Sequence, residues 1–384
     1  MSQNSLEELI RHEFRLKPEI IHLNHAAVGP WPYRTSAAVK SFADENMQQG
    51  SLNYLEWLQV EKRLRERMAR LIHAPSADDI ALLKNTSEGL SLVANGLEWR
   101  SGDNVIISAD EFPSNRIVWE ALQSRGVTVK RIVIQDKDNP EQALIQAMDE
   151  DTRLLSISSV QYATGLRLDL KLLGEACSRH NILFCVDAIQ SIGAIQMDVQ
   201  AIQADFVVAD GHKWMLGPEG LALFYTKPQA KEKLQLSQYG WHMIEDHHNF
   251  NTLTWEPAKN SRRFECGSPN MLGIYALDAS LSLFEELGIA QIEKIILQKS
   301  RFLFEFLQDL PDIELITRDQ PGRYAGIVTF RSNVEAAEAL YQRLQAAGIL
   351  CAPRGGGIRF SPHFYTDTRH LQKACELLIP TDIH

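Results

Sequence analysis

Two residues in the middle of the chain have the types and spacing to run carbanion chemistry. The apolar run 182–186 ends in Asp187, and the run 206–209 ends in Asp210-Gly211-His212-Lys213. Lys213 lies 26 residues after Asp187, the length of one strand–crossover–strand step, so both side chains project into one crevice. A lysine on a mostly buried floor sheds its charge and becomes an amine able to form a Schiff base. An aspartate anion can hold a ring nitrogen protonated and so make a flat heterocycle an electron sink. A buried Asp–Lys ion pair would use the same two residue types, so the pair alone leaves both readings open.

Three other segments offer complementary groups. After the run 80–83 comes Lys84-Asn85-Thr86-Ser87-Glu88-Gly89-Leu90, where Asn85 and Glu88 have the spacing of a helix start. Thr86 and Ser87 would then sit among free backbone N–H groups, a cradle for phosphate or simply a capped helix. The run 104–107 leads to Asp110-Glu111-Phe112-Pro113-Ser114-Asn115, and Phe112 offers a ring that could stack on a flat ligand or pack in a loop. Near the C-terminus, Arg354-Gly355-Gly356-Gly357-Ile358-Arg359 joins a glycine turn, which permits close backbone approach, to an arginine suited to a bidentate grip on a carboxylate. His242, His247 and His248 match no paired-ligand pattern, and no metal is expected.

The elements that would position these residues alternate. Apolar runs at 80–83, 104–107, 131–134, 154–157, 182–186 and 206–209 are mostly separated by helix-length segments. That alternation predicts βαβ units and a mainly parallel sheet covered on both faces, with ligands beyond the carboxyl ends of its strands. Residues 36–71 carry helical spacing, and the charges at 61–67 are expected on a solvated face. Further on, helices are predicted over 272–287 and 291–310, a strand over 325–330, a helix over 334–347 and a last helix from Thr368. The expected organisation is a large domain over 18–275 and a smaller α+β domain over 276–384, with 1–17 packed on the latter.

Composition narrows the class. The 384 residues are 45% hydrophobic and 23% charged, an ordinary globular mixture. A net charge of −10 disfavours a nucleic-acid partner. No run of about 18 apolar residues suggests a membrane span, and no secretory leader is visible. Cys177, Cys185, Cys266, Cys351 and Cys375 are scattered and never paired as C-x-x-C, which fits a cytoplasmic location. None of the early strand ends carries a G-x-G-x-x-G turn, which disfavours a dinucleotide-dependent oxidoreductase.

In combination these segments resemble the class V aminotransferase family, the cysteine desulfurase and kynureninase branch of fold type I pyridoxal phosphate enzymes. The resemblance runs from His22-Leu23-Asn24-His25 to Tyr365, and centres on Val186-Asp187-Ala188-Ile189-Gln190 with Asp210-Gly211-His212-Lys213. Arg263-Phe264-Glu265-Cys266-Gly267-Ser268-Pro269-Asn270 and Arg359-Phe360-Ser361 fall in family order. The resemblance implies pyridoxal phosphate held by Lys213 as a Schiff base. It puts Asp187 on the ring nitrogen, Gln190 on the ring oxygen, and Thr86, Ser87 and His212 on the phosphate. Ser268 would reach the phosphate of the neighbouring subunit in a homodimer. Arg359 would clamp an amino-acid carboxylate, with Tyr162 and His25 also on the substrate side.

The departures matter too. Where desulfurases of this family stack a histidine on the ring, this chain has Phe112. The stretch before Arg359 lacks a persulfide-bearing cysteine on a loop, since Cys351 follows an apolar run and reads as a buried strand-end thiol. The expectation is therefore an aminotransferase-like enzyme acting on an α-amino acid, with C–S cleavage or epimerisation as the alternative.

Overall fold

Six short strands, buried throughout except at Arg153, organise the structure, and one polar strand closes their sheet. The computed structural model describes residues 3–379, apart from 136 and 252; the last five residues of the expected 276–384 domain and the first two of the 1–17 segment lie outside that description. The chain begins with α1 (Gln3–Glu13), β1 (Ile21–His22), α2 (Tyr33–Gln49) and α3 (Tyr54–Leu71). Alternation follows through β2 (Ile80–Leu83), α4 (Thr86–Gly96), β3 (Asn104–Ser108), α5 (Ser114–Glu120), β4 (Thr128–Ile132) and α6 (Pro140–Gln146). It continues through β5 (Thr152–Ser158), α7 (Leu170–Arg179), β6 (Leu183–Asp187), β7 (Phe206–Asp210), β8 (Ala222–Thr226) and the short α8 (Pro228–Lys231).

These strands form a seven-stranded sheet in the order β2-β8-β7-β6-β5-β3-β4. All neighbours from β7 to β4 are parallel, whereas β8 runs antiparallel between β2 and β7. The strand β8 follows β7 without a helix between them, and the βαβ alternation read from the sequence did not contain it. The run expected at 131–134 is displaced: β4 covers Thr128–Ile132, and Val133 is exposed. Pairing with β3 alone sets its limits, and Lys130 and Arg131 suit an edge strand facing water.

The remainder comprises α9 (Met271–Leu287), α10 (Ile289–Gln308), β9 (Ile313–Leu315), β10 (Val328–Ser332), α11 (Ala337–Ala346), β11 (Ile349–Leu350), β12 (Ala352–Arg354), β13 (Gly357–Phe360) and α12 (Thr368–Glu376). Four of these strands make an antiparallel sheet, β12-β13-β10-β9. β1 pairs in parallel with β11, so the N-terminal segment is tied to this part of the chain. Phe14, just after α1, stacks on Tyr365 with ring centroids 3.6 Å apart. Among the described residues no helix is long and apolar enough to cross a membrane.

The helical spacing over 36–71 resolves into two helices broken at Gly50, whose φ of +60° suits glycine. The charges at 61–67 form a solvated face only in part: Lys62 and Arg63 are exposed, but α3 packs against α9, which brings acids to meet the arginines. Arg63 and Arg67 both reach Asp278, at 2.6 Å each. Arg65 lies between Glu61 and Glu265, 2.5 Å from each, and both carboxylates are buried. His242 approaches the same group, with its Nδ1 3.8 Å from Glu265, but the Arg65 guanidinium already occupies the cation position between the two acids.

Removing that cation leaves two buried carboxylates facing each other. Arg65→Ala is expected to lower unfolding stability by about 3–5 kcal/mol at pH 8. The folded variant would bind protons more readily than the unfolded chain, so its deficit should shrink as pH falls towards 5. Urea titrations of both proteins at the two pH values test this; a deficit independent of pH contradicts it.

Candidate active site

Parallel pairing of β6 and β7 puts their carboxyl ends side by side, with Asp187 opposite Val208. Asp187 ends β6, and Asp210 ends β7 two residues beyond that register position. Lys213 follows on the turn after β7. Burial lowers its ammonium to about 8, against the opposing attraction of Asp187 and with the repulsion of Arg359. Burial raises the Asp187 carboxyl to about 6, opposed by the Ile189 N–H, which donates to it at 3.1 Å, and by the field of Lys213.

These residues line a cleft of about 360 Å³ together with Thr86, Ser87, Phe112, Tyr162, Gln190, His212 and Arg359. The volume lies in the range of small-molecule sites. Asn85 caps α4 by accepting from the Glu88 N–H at 2.9 Å, while the Glu88 carboxylate accepts from the Lys84 N–H at 2.6 Å. Thr86 and Ser87 therefore stand at an open helix N-terminus, which favours an anion. Thr86 Oγ1 also accepts from the Asp210 N–H at 3.2 Å, joining α4 to the end of β7. His212 Nδ1 and Asp210 Oδ1 are 2.9 Å apart, yet neither has an aligned hydrogen-bond partner.

Gln190 is held at both ends of its amide. It donates to the Ala26 carbonyl at 3.0 Å and accepts from the Trp214 indole N–H at 2.9 Å. The 26–29 segment comes close to the lysine turn: the Gly29 N–H donates to the His212 carbonyl at 2.8 Å, and a Cβ on Gly29 would fall 2.5 Å from the Lys213 carbonyl oxygen. Only glycine allows that approach. On the opposite wall the Lys213 ammonium lies 5.6 Å from the Phe112 ring centroid, and Phe112 meets Tyr162 edge-on at 5.1 Å.

Arg359 arrives from β13 and is only 2% exposed. It donates to the Tyr162 carbonyl at 2.7 Å and to Asn24 Oδ1 at 3.4 Å, while its Nε is buried without a partner. Burial and the repulsion of Arg354 bring the guanidinium down to about 10, so it stays cationic at neutral pH.

Two residues singled out from the sequence fall outside this cleft. His25 is fully buried, with Nδ1 2.8 Å from the Ser361 carbonyl and Nε2 2.7 Å from the Tyr365 hydroxyl. Nδ1–H must donate to the carbonyl and Nε2 must accept from the hydroxyl, so both nitrogens are committed. Burial keeps this imidazole neutral, and it anchors the Asn24–Ala26 backbone instead of facing a substrate. Ser268 is exposed and does not line the cleft of its own chain.

The structure adds residues whose importance the sequence pattern concealed. Arg354, Glu219 and Ser114 line the cleft, and Ser87 donates to Ser114 at 2.8 Å. Behind Phe112, the buried Glu111 accepts from the Ser158 N–H and hydroxyl and from Gln161, which ties the Phe112 loop to the strand paired with Asp187. Burial, reinforced by the nearby Asp187 charge, raises this carboxyl to about 7. An acid beside a strand-end aromatic was the only available sequence signal.

The profile of the aminotransferase class-V family matches residues 32–365. The chain belongs to that family. A probable cysteine desulfurase of Methanothermobacter thermautotrophicus is 30% identical over 394 residues, covering 97% of each chain. The apo cysteine desulfurase of Thermococcus onnurineus NA1 superimposes with a TM-score of 0.86 at 24% identity, covering 97% of this chain and 96% of that one. The cystine C–S lyase C-DES, solved with its reaction product cysteine persulfide, gives 0.86 at 23% identity over 94% and 97% of the two chains. The fold is thus that of the fold type I enzymes, and pyridoxal phosphate is the cofactor of this class V family.

Lys213 should differ from surface lysines even without cofactor. In cofactor-free protein, its acetylation rate should rise with a midpoint near pH 8, and Asp187→Asn should move that midpoint lower by removing a favourable anion. Peptide mapping by mass spectrometry reads both; a midpoint above about 10 contradicts the burial argument.

Proposed function

We propose that the protein cleaves the C–S bond of a sulfur-bearing α-amino acid, using pyridoxal phosphate held in the cleft between Lys213 and Phe112. The groups that line the cleft fit that cofactor, and His212 Nδ1 is buried there without an aligned partner. The α4 N-terminus, with Thr86, Ser87 and His212, suits its phosphate; Asp187 suits its ring nitrogen, Gln190 its ring oxygen and Phe112 its face. Bound there, the cofactor supplies an electron sink for a negative charge at the substrate α-carbon. In this reading the 18–275 portion holds the cofactor, the 276–384 portion brings Arg359, and Ser268 serves a second copy in a homodimer.

Lys213 performs the proton work. Near pH 7 a fraction of its side chain is a neutral amine, because burial has lowered its affinity for protons. Arg359 fixes the substrate carboxylate through the donor capacity its own protein contacts leave free, which turns the Cα–H bond towards Lys213 Nζ. Lys213 takes that proton and returns it to the departing sulfur, which leaves with the electron pair of the C–S bond. The remaining three-carbon fragment takes up one water and leaves as pyruvate and ammonia.

The positions of the cysteines carry the choice of reaction. The described lining of the cleft contains no thiol. Cys177, Cys185 and Cys375 are buried in cores, Cys351 is buried at the head of β12 with its thiol pushed up to about 12, and Cys266 donates to Gln238 at 3.4 Å. Sulfur therefore departs on a fragment of the substrate. Transamination would use the same lysine and aspartate; the desulfurase relatives weigh towards C–S cleavage.

Pyruvate release from L-cystine, followed with lactate dehydrogenase, tests the proposal. Lys213→Ala should lower the rate by a factor of about 10² to 10⁴. Cys351→Ala and Cys266→Ser should stay within about twofold, since neither thiol lines the cleft. Loss of activity in either cysteine variant would overturn the sulfur route, and keto-acid formation with retention of sulfur would support transamination instead.

A further inference from the structure

We infer that Glu111 is a positioning residue: its one buried carboxyl group ties together the two loops that carry Phe112 and Tyr162, and through Tyr162 it steadies Arg359. The inference rests on the reading of Phe112 as the stacking ring and Arg359 as the carboxylate clamp, and adds what sets their places.

Glu111 lies in the loop between β3 and α5, next to Phe112, and is only 5% exposed. Its Oε1 accepts from the Ser158 N–H at 2.9 Å and from the Gln161 side-chain amide at 3.1 Å. Its Oε2 accepts from the Ser158 hydroxyl at 2.5 Å. One side chain thus joins the loop after β3 to the end of β5 and to the loop that follows it. Gln161 is the immediate neighbour of Tyr162. Phe112 and Tyr162 meet edge-on with ring centroids 5.1 Å apart, and the Tyr162 carbonyl accepts from Arg359 at 2.7 Å. A chain of contacts therefore runs from Glu111 to the ring facing Lys213 and to the buried guanidinium.

No ion pair accounts for an acid at this place. Burial raises the Glu111 carboxyl to about 7, the Asp187 charge adds to the rise, and the Ser158 hydrogen bonds oppose it. No cation is among the groups that act most strongly on it. Burying such a group is costly, and an apolar side chain would avoid that cost. What an apolar side chain lacks is the capacity to accept bonds from two loops at once. Protonation leaves the ties in place, because a protonated Oε2 would donate to the Ser158 hydroxyl while Oε1 kept accepting. A glutamine amide has the same shape and the same options, which separates position from charge.

Two measurements that need no turnover follow the two loops. The dissociation constant for pyridoxal phosphate, from absorption titrations of cofactor-free protein, reports the Phe112 side. The L-alanine concentration giving half the spectral change of loaded enzyme reports the Arg359 side. Phe112→Leu should weaken cofactor binding about three- to tenfold. Glu111→Ala should weaken it by a similar factor and raise the L-alanine value about tenfold, whereas Glu111→Gln should keep both within about threefold of wild type. Combining Glu111→Ala with Phe112→Leu should cost little further cofactor affinity, because both remove the same placement. Gln161→Met cuts the second tie alone, so it should raise the L-alanine value and leave the cofactor constant unchanged. That milder change decides the matter if Glu111→Ala does not fold. Wild-type values in Glu111→Ala or in Gln161→Met, fully additive losses in the double variant, or a Glu111→Gln as impaired as Glu111→Ala would each overturn the positioning role. Unchanged cofactor affinity in Phe112→Leu would instead sink the stacking reading, and the L-alanine values would still decide for or against Glu111.

Discussion

The structure depends on keeping one amine dry beside one carboxylate. Lys213 is lowered and Asp187 raised by the same cause, burial, and each moderates the shift of the other. Neither group could sit there alone without a large desolvation penalty. Together they leave a largely ionised carboxylate beside an ammonium that gives up its proton much more readily than a surface lysine does. The parallel ends of β6 and β7 supply that arrangement, and the glycine at position 29 lets a third segment seal it.

A second feature is that the buried arginine of the cleft comes from elsewhere in the chain. Arg359 belongs to the antiparallel sheet, and its hydrogen bonds to Tyr162 and Asn24 connect three distant stretches. His25 contributes by being spent. With both nitrogens committed to Ser361 and Tyr365, it holds the 24–26 backbone in place so that Ala26 can fix Gln190. The chain therefore uses a buried neutral histidine as a brace where its sequence position beside the cleft suggested a ligand.

Charges away from the cleft follow a related logic. The α3 arginines meet the acids of α9 and Glu265 across an interface, and only part of the run reaches water. Helical spacing on one element cannot reveal this, because the partners lie some 200 residues further along the sequence. A solvated charged face and an inter-helix ion-pair network have the same local pattern.

The alternation of short apolar runs with helical segments determined the parallel sheet, because burial on both faces demands such runs whatever packs against them. The strand-end motif at 187–213 and the capped start of α4 were equally legible, since chain connectivity alone brings them to one edge. Strand β8 was not legible, because an antiparallel partner needs no crossover to announce it. Arg354 and Glu111 were present only as members of longer stretches, and His25 pointed the wrong way. Those three depend on which groups meet across hundreds of residues and how much water remains between them. Sequence by itself determined the family and brought Asp187 and Lys213 to one sheet edge; only the tertiary structure decided which cations were already paired and which faced the cleft free, because desolvation and ion pairing are properties of a place in the fold.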